Sequence, residues 1–164
     1  MPGKSIVLID GLDCYIESLS ICIEDLGYVA RPLILDLEKN VVGQARDFFT
    51  KLDRFSIEKV ILSELRREYL PHINENATRQ EVQAEICRYQ SIEDANYGQT
   101  LSVLVWLKSN SFKDISMVLP SLQAAQHEIL TLYRQHGASR ILEKVADCDK
   151  TLAAILHGSP QFPS

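Results

Sequence analysis

Apolar residues along this chain fall into short continuous runs that alternate with stretches of helical spacing. Ser5-Ile-Val-Leu-Ile-Asp10 is an unbroken apolar run closed by an acid and Gly11, the signature of a strand buried on both faces. Ile16, Leu19, Ile23 and Leu26 then recur at steps of 3, 4 and 3, one face of a helix that Gly27 should stop. Tyr28–Leu35 is a second extended segment, interrupted by Pro32, and helical spacing returns over 42–52 with Phe48, Phe49 and Leu52 inward. Lys59–Glu64 is another buried-strand run with an acid at its end. Two helices follow in the pattern, one over 77–91 with Val82, Ile86 and Tyr89 on one face, the next starting at Asn96 and carrying Leu101, Leu104, Val105 and Leu107. Asp114–Leu119 is a strand, 124–136 a helix, 138–142 a short strand, and 151–156 a last helix begun near Asp147 or Asp149. Strands alternating with helices at this spacing predict an α/β fold, a doubly wound parallel sheet of five strands.

Length and charge narrow the picture. The 164 residues suit one domain, with 46% hydrophobic residues to fill a core and 24% charged residues to cover it. We expect a single domain over 1–158 and a short flexible tail at 159–164. The net charge of −5 argues against nucleic acid as a partner, since such a chain would carry a basic face. The same charge and the lack of a long apolar run argue against a membrane. No signal-peptide pattern opens the sequence, so a cytoplasmic location is expected. Cys14, Cys22, Cys87 and Cys148 show no C-x-x-C spacing and the four histidines are scattered, so ordinary thiols are expected rather than disulfides or a metal cluster. Trp106 and the Phe48/Phe49 pair read as core.

In open parallel sheets the chemistry gathers at the carboxyl ends of the strands. The residues expected there are Asp10 after the first strand, Glu64 after the third, Ser121 after the fourth and Lys144 after the fifth. That ordered series of acid, acid, hydroxyl and lysine resembles the receiver domain of two-component response regulators. The stretch Asn96-Tyr-Gly-Gln-Thr-Leu-Ser-Val-Leu-Val-Trp-Leu-Lys, the strand Lys113-Asp-Ile-Ser-Met-Val-Leu-Pro-Ser and the segment His136-Gly-Ala-Ser-Arg-Ile-Leu-Glu-Lys resemble that family's third helix, fourth strand and fifth strand. The resemblance implies a flavodoxin-like, receiver-type sheet. It also implies that 66–95, with four Lys/Arg and six Asp/Glu, is a helical insert between the third strand and third helix.

In such receivers an aspartate accepts a phosphoryl group beside a metal held by paired acids, and a hydroxyl and a lysine hold the phosphoryl oxygens. Here the acceptor position is Glu64, and Gly11 stands where the second acid of the pair belongs. Val145 follows Lys144 in place of proline, and Ile141 replaces the usual aromatic. Asp10, Glu64 and Lys144 carry a net −1, one charge short of a set that attracts a hard divalent cation. Without that metal little is left to catalyse phosphoryl transfer. The resemblance and its departures together imply a degenerate receiver, not an enzyme and without a cofactor, that signals by protein–protein contact independent of phosphorylation. Its partner would be a kinase, a regulator or an output protein, with a homodimer also open. The extra methylene of Glu64 would let its carboxylate reach Ser121 and Lys144 and partly imitate a phosphorylated aspartate.

Two alternatives stay open. One is a phosphorylatable receiver with altered acids, weakly holding magnesium through Asp10, Asp13 and Glu64; the other is a small-ligand sensor on the same fold. Two surfaces are candidates for partner contact: Val82, Ile86 and Tyr89 on the insert, and Tyr133, Arg134 and Arg140 on the face where receivers commonly self-associate. Arg66-Arg67 reads as a solvated strand end.

Overall fold

Five strands, β1 (Ser5–Asp10), β2 (Val29–Ile34), β3 (Ile57–Ser63), β4 (Ile115–Leu119) and β5 (Arg140–Glu143), pair in parallel in the order β2-β1-β3-β4-β5. The computed structural model describes residues 3–11, 13–67, 73–122, 125–144 and 147–157, so the tail expected at 159–164 and the side chain of Asp13 lie outside the described residues. All six residues of β1 and all five of β4 are buried, as continuous apolar runs in a sheet covered on both faces must be. Pro32 does not break β2. That strand is at the sheet edge, paired only with β1, where a missing backbone N–H costs no ladder bond.

Five helices cover the sheet: α1 (Asp13–Asp25), α2 (Val41–Thr50), α3 (Arg79–Ser109), α4 (His127–Gln135) and α5 (Cys148–His157). Ile16, Leu19 and Ile23 of α1 pack with Leu152, Ala154 and Ile155 of α5 against Ile6 and Leu8. Leu26, the fourth position of the predicted stripe, lies past the end of α1 and is exposed. Gly27 ends the helix in the left-handed region at φ 90°, which a side chain would resist. On the other face Val41 of α2, Val103, Leu104 and Leu107 of α3 and Tyr133 of α4 close over Val7, Val60, Leu62 and Met117. Full burial of one such leucine stabilises the fold by about 1.5–3 kcal/mol. Phe49 packs 4.8 Å from Phe112 and 5.5 Å from Trp106 between ring centroids, so these aromatics are structural, as expected.

The sequence pattern errs at one place that matters. The helix expected over 77–91 and the one expected to start at Asn96 are a single helix of 31 residues, α3. Thr78 caps it by accepting from the Glu81 amide at 3.2 Å. Nothing between 91 and 96 breaks it, for that stretch has neither Gly nor Pro. Asn96 resembles a cap, yet it sits mid-helix and fully buried, and its Oδ1 accepts from the Arg67 amide at 3.1 Å. Residues 79–95 of the insert are therefore an N-terminal extension of the third helix. Every fully buried residue of α3 lies at or beyond Asn96, so the first half stands clear of the core.

Candidate functional site

Parallel strands bring their carboxyl ends to one edge, and the order of connections reverses between β1 and β3, where a crevice forms. Asp10 ends β1, Glu64 follows β3, Ser121 follows β4 and Lys144 follows β5, so all four predicted residues stand on that edge. Backbone bonds fix two of them: the Glu64 amide donates to Val118 at 2.9 Å, and the Lys144 amide to Leu119 at 2.7 Å.

The side chains do not assemble as one group. Asp10 is buried, and its carboxylate accepts from the Gly11 amide at 2.7 Å and from Lys144 Nζ at 3.1 Å. Lys144 also lies over the Tyr15 ring, 4.5 Å from its centroid, a cation–π contact that holds the ammonium toward Asp10. Glu64 turns elsewhere. Its Oε1 accepts from Arg66 at 2.8 Å and its Oε2 from the Tyr133 hydroxyl at 2.9 Å, with only 6% of the residue exposed. The expected reach of Glu64 toward Lys144 is thus corrected, because a nearer cation and a phenol on α4 take both its oxygens. Glu64 and Ser121 still share a cavity of about 200 Å³, which Tyr89, Glu93 and Tyr97 of α3 also line.

Arg66 and Arg67 are only partly solvated, with 30% and 37% of their side chains exposed, and both are engaged within the chain, a second correction. Arg66 spans from Glu64 to Glu93 on α3, pairing with both carboxylates. Burial works against its charge, but hydrogen bonding and attraction from these two acids prevail and raise its pKa. Arg67 donates to the Leu37 carbonyl at 2.6 Å, and its neighbour Leu65 donates its amide to the buried Thr100 hydroxyl at 2.8 Å. Leu65–Arg67 is thereby sewn to α3 across one short segment. Sequence reasoning missed the role of Arg66, and the available signal was an arginine two residues past a buried acid that needs a counter-charge.

Of the proposed contact residues, Ile86 and Tyr89 are 44% and 46% exposed and Val82 is half-buried. Tyr133 is a correction: it is 1% exposed and its hydroxyl serves Glu64. Arg140 is another, since it donates at 2.6 Å to the carbonyls of Ala154 and Ile155 near the end of α5, and an arginine so used is not free for a partner. Arg134 is exposed.

A divalent cation needs several oxygen ligands and a surplus of negative charge. Asp10 is matched by Lys144 and Glu64 by Arg66, so the two described acids offer no such surplus. A side chain at position 11 would also be crowded, since a Cβ on Gly11 would stand 2.9 Å from Leu37 Cδ1. Among the described residues no three His, Cys, Asp or Glu side chains gather as a metal site. These residues do not fit the metal that receivers use.

Burial raises the pKa of three phenols. Tyr15 is pushed up to about 12, while Tyr97 and Tyr133 are raised by burial and then by the charge of Glu93 and Glu64 respectively. Unfolded phenols ionise near pH 10, so stability from these groups is complete below about pH 10 and is lost as pH rises further. Tyrosinate absorbance, assigned by single Tyr→Phe variants, should show Tyr15, Tyr97 and Tyr133 ionising above pH 10 while the protein stays folded. Ionisation of these three at or below pH 10 in the folded protein would contradict this burial.

No family model matches this sequence, and no curated protein matches it. Solved structures do match. The beryllofluoride-activated NtrC4 receiver domain dimer is 14% identical with a TM-score of 0.56, over 94% of each chain. A response regulator from Burkholderia pseudomallei, solved with a phosphorylated aspartic acid, a calcium ion and citrate, is 16% identical with a TM-score of 0.57, over 93% of this chain and 66% of the other. An orphan response regulator of H. pylori is 13% identical with a TM-score of 0.54, over 94% of each chain. At these identities the likeness shows the fold. The chain has the flavodoxin-like receiver fold of response regulators. Among the described residues no helix is long and apolar enough to cross a membrane.

Proposed function

We propose that this chain is an atypical receiver-like signalling module that acts through protein–protein contact without being phosphorylated. One observation carries the reading: the acid at the acceptor position is a buried glutamate with each oxygen already held, by Arg66 and by Tyr133. To attack phosphorus, that carboxylate would have to surrender a charge-assisted hydrogen bond and leave a buried cation or phenol short of a partner. Phosphoryl transfer also relies on a metal to neutralise developing charge, and the local acids are already neutralised by Lys144 and Arg66. The module is on this reading neither an enzyme nor a cofactor binder. Its partner is a signalling protein, of the kinase, regulator or output class.

Incubation with acetyl phosphate, or with beryllofluoride and magnesium, should leave the intact mass and the Trp106 fluorescence unchanged. Stoichiometric modification mapped to Glu64 would overturn the proposal.

A further inference from the structure

The first half of α3 carries a feature that the acceptor position does not explain. A groove of about 510 Å³ runs along it, walled by the exposed apolar residues Ile73, Ile86 and Tyr89 and by the acids Glu85, Glu93 and Asp94. Among the described residues that line it none is Lys, Arg or His; from outside the lining Arg66 holds Glu93, and the exposed Arg88 stands 3.9 Å from Glu85 Oε2, leaving Glu85 Oε1 and Asp94 to face the groove. Glu85 Oε1 is buried there, and no described hydrogen-bond donor reaches it. From Glu85 to Tyr97 the groove follows about 18 Å of helix, enough to meet side chains spaced i, i+3 and i+7 on a second helix.

We propose that this groove receives a basic amphipathic helix of another protein. Its apolar side chains would seat against Ile73, Ile86 and Tyr89, and its Lys or Arg would reach Glu85 and Asp94. The charge chooses this occupant over two nearer ones. A second copy placed groove to groove would set acid against acid, which costs rather than contributes. The chain's own last seven residues, Gly-Ser-Pro-Gln-Phe-Pro-Ser, hold no base to answer the acids. Glu93 and Tyr89 line both this groove and the cavity holding Glu64, so the groove and the acceptor position share one wall.

The inference rests on the reading of the chain as a partner-binding module and names the partner's chemistry. A phage-displayed library of random helical peptides, selected against the full chain, tests it. Enriched sequences should combine Lys or Arg with apolar residues at helical spacing. A labelled synthetic copy of the best peptide should weaken on the order of tenfold for Glu85→Gln/Asp94→Asn and for Ile86→Ser, and weaken again as salt rises. Both variants change exposed or groove-lining side chains, and circular dichroism checks that they stay folded. Enriched peptides that are acidic or neutral, an empty selection, or affinity indifferent to both variants would overturn the inference. A peptide that binds elsewhere on the surface removes the groove but leaves the module reading standing. Phosphorylation of Glu64 removes the module reading whatever the peptides do.

Discussion

An Arg66→Ala variant is expected to lose about 3 kcal/mol of unfolding free energy, because it leaves the buried Glu64 carboxylate without its cation. The Glu64 side chain is 4% exposed and that of Arg66 30%, so water replaces little of what the arginine supplies to Glu64. Glu93 loses the same partner, though its side chain is 17% exposed and better able to hydrate. For a domain of this length the loss corresponds to a fall in Tm of about 6–12 °C. Glu64→Gln on the Arg66→Ala background should recover part of it, since an amide keeps an acceptor for Tyr133 and carries no buried charge. The coupling between the two positions is expected at about 1–3 kcal/mol in a double-mutant cycle read by urea unfolding. Arg66→Lys should rescue only partly, because an ammonium lacks the planar fork that reaches Glu64 and Glu93 together. A single-variant loss under about 1 kcal/mol, with no coupling, would mean the bridge contributes no more than an exposed ion pair.

Tyr133 supplies the second large effect and separates ring from hydroxyl. Tyr133→Phe removes a hydrogen bond to a buried carboxylate and is expected to cost about 2 kcal/mol. Tyr133→Ala also empties the space of a ring that is 1% exposed and should cost about 3–5 kcal/mol in all. Equal costs for the two variants would show that the ring contributes nothing beyond its hydroxyl. A neutral Tyr133→Phe would show that the Glu64 oxygen finds another donor.

The runs at 5–10, 59–64 and 114–119 were readable as buried strands because a strand covered on both faces needs only unbroken apolar residues, whatever its neighbours. The positions of Asp10, Glu64, Ser121 and Lys144 followed once those strands were ordered in parallel. What each side chain does is less legible, because partners such as Arg66 and Tyr133 come from the irregular segment after β3 and from a helix 69 residues away. Asn96 misled for a related reason. Its amide looks like the start of a helix, and only the three-dimensional passage of Arg67 beside it shows that it caps another segment. Only the resemblance to receivers, and not the spacing of α4, places Tyr133 on a contact face, whereas its burial depends on how α4 meets the core and Glu64.

A helix of 31 residues is about 46 Å long, and α3 is gripped by the core only from Asn96 onward. A rigid helix held in this way would pivot, if pushed, beside Arg66 and Thr100. Pushing on the outer arm by about 4 Å at its tip would tilt the helix by roughly 10°, given an arm of about 25 Å. The motion at the fulcrum would be a fraction of that, delivered in part to the Arg66 side chain that clasps Glu64. Force applied at the far end would thus reach the strand edge reduced in travel and shared among Leu65, Arg66 and Arg67, which hold Thr100, Glu93 and Asn96 of α3.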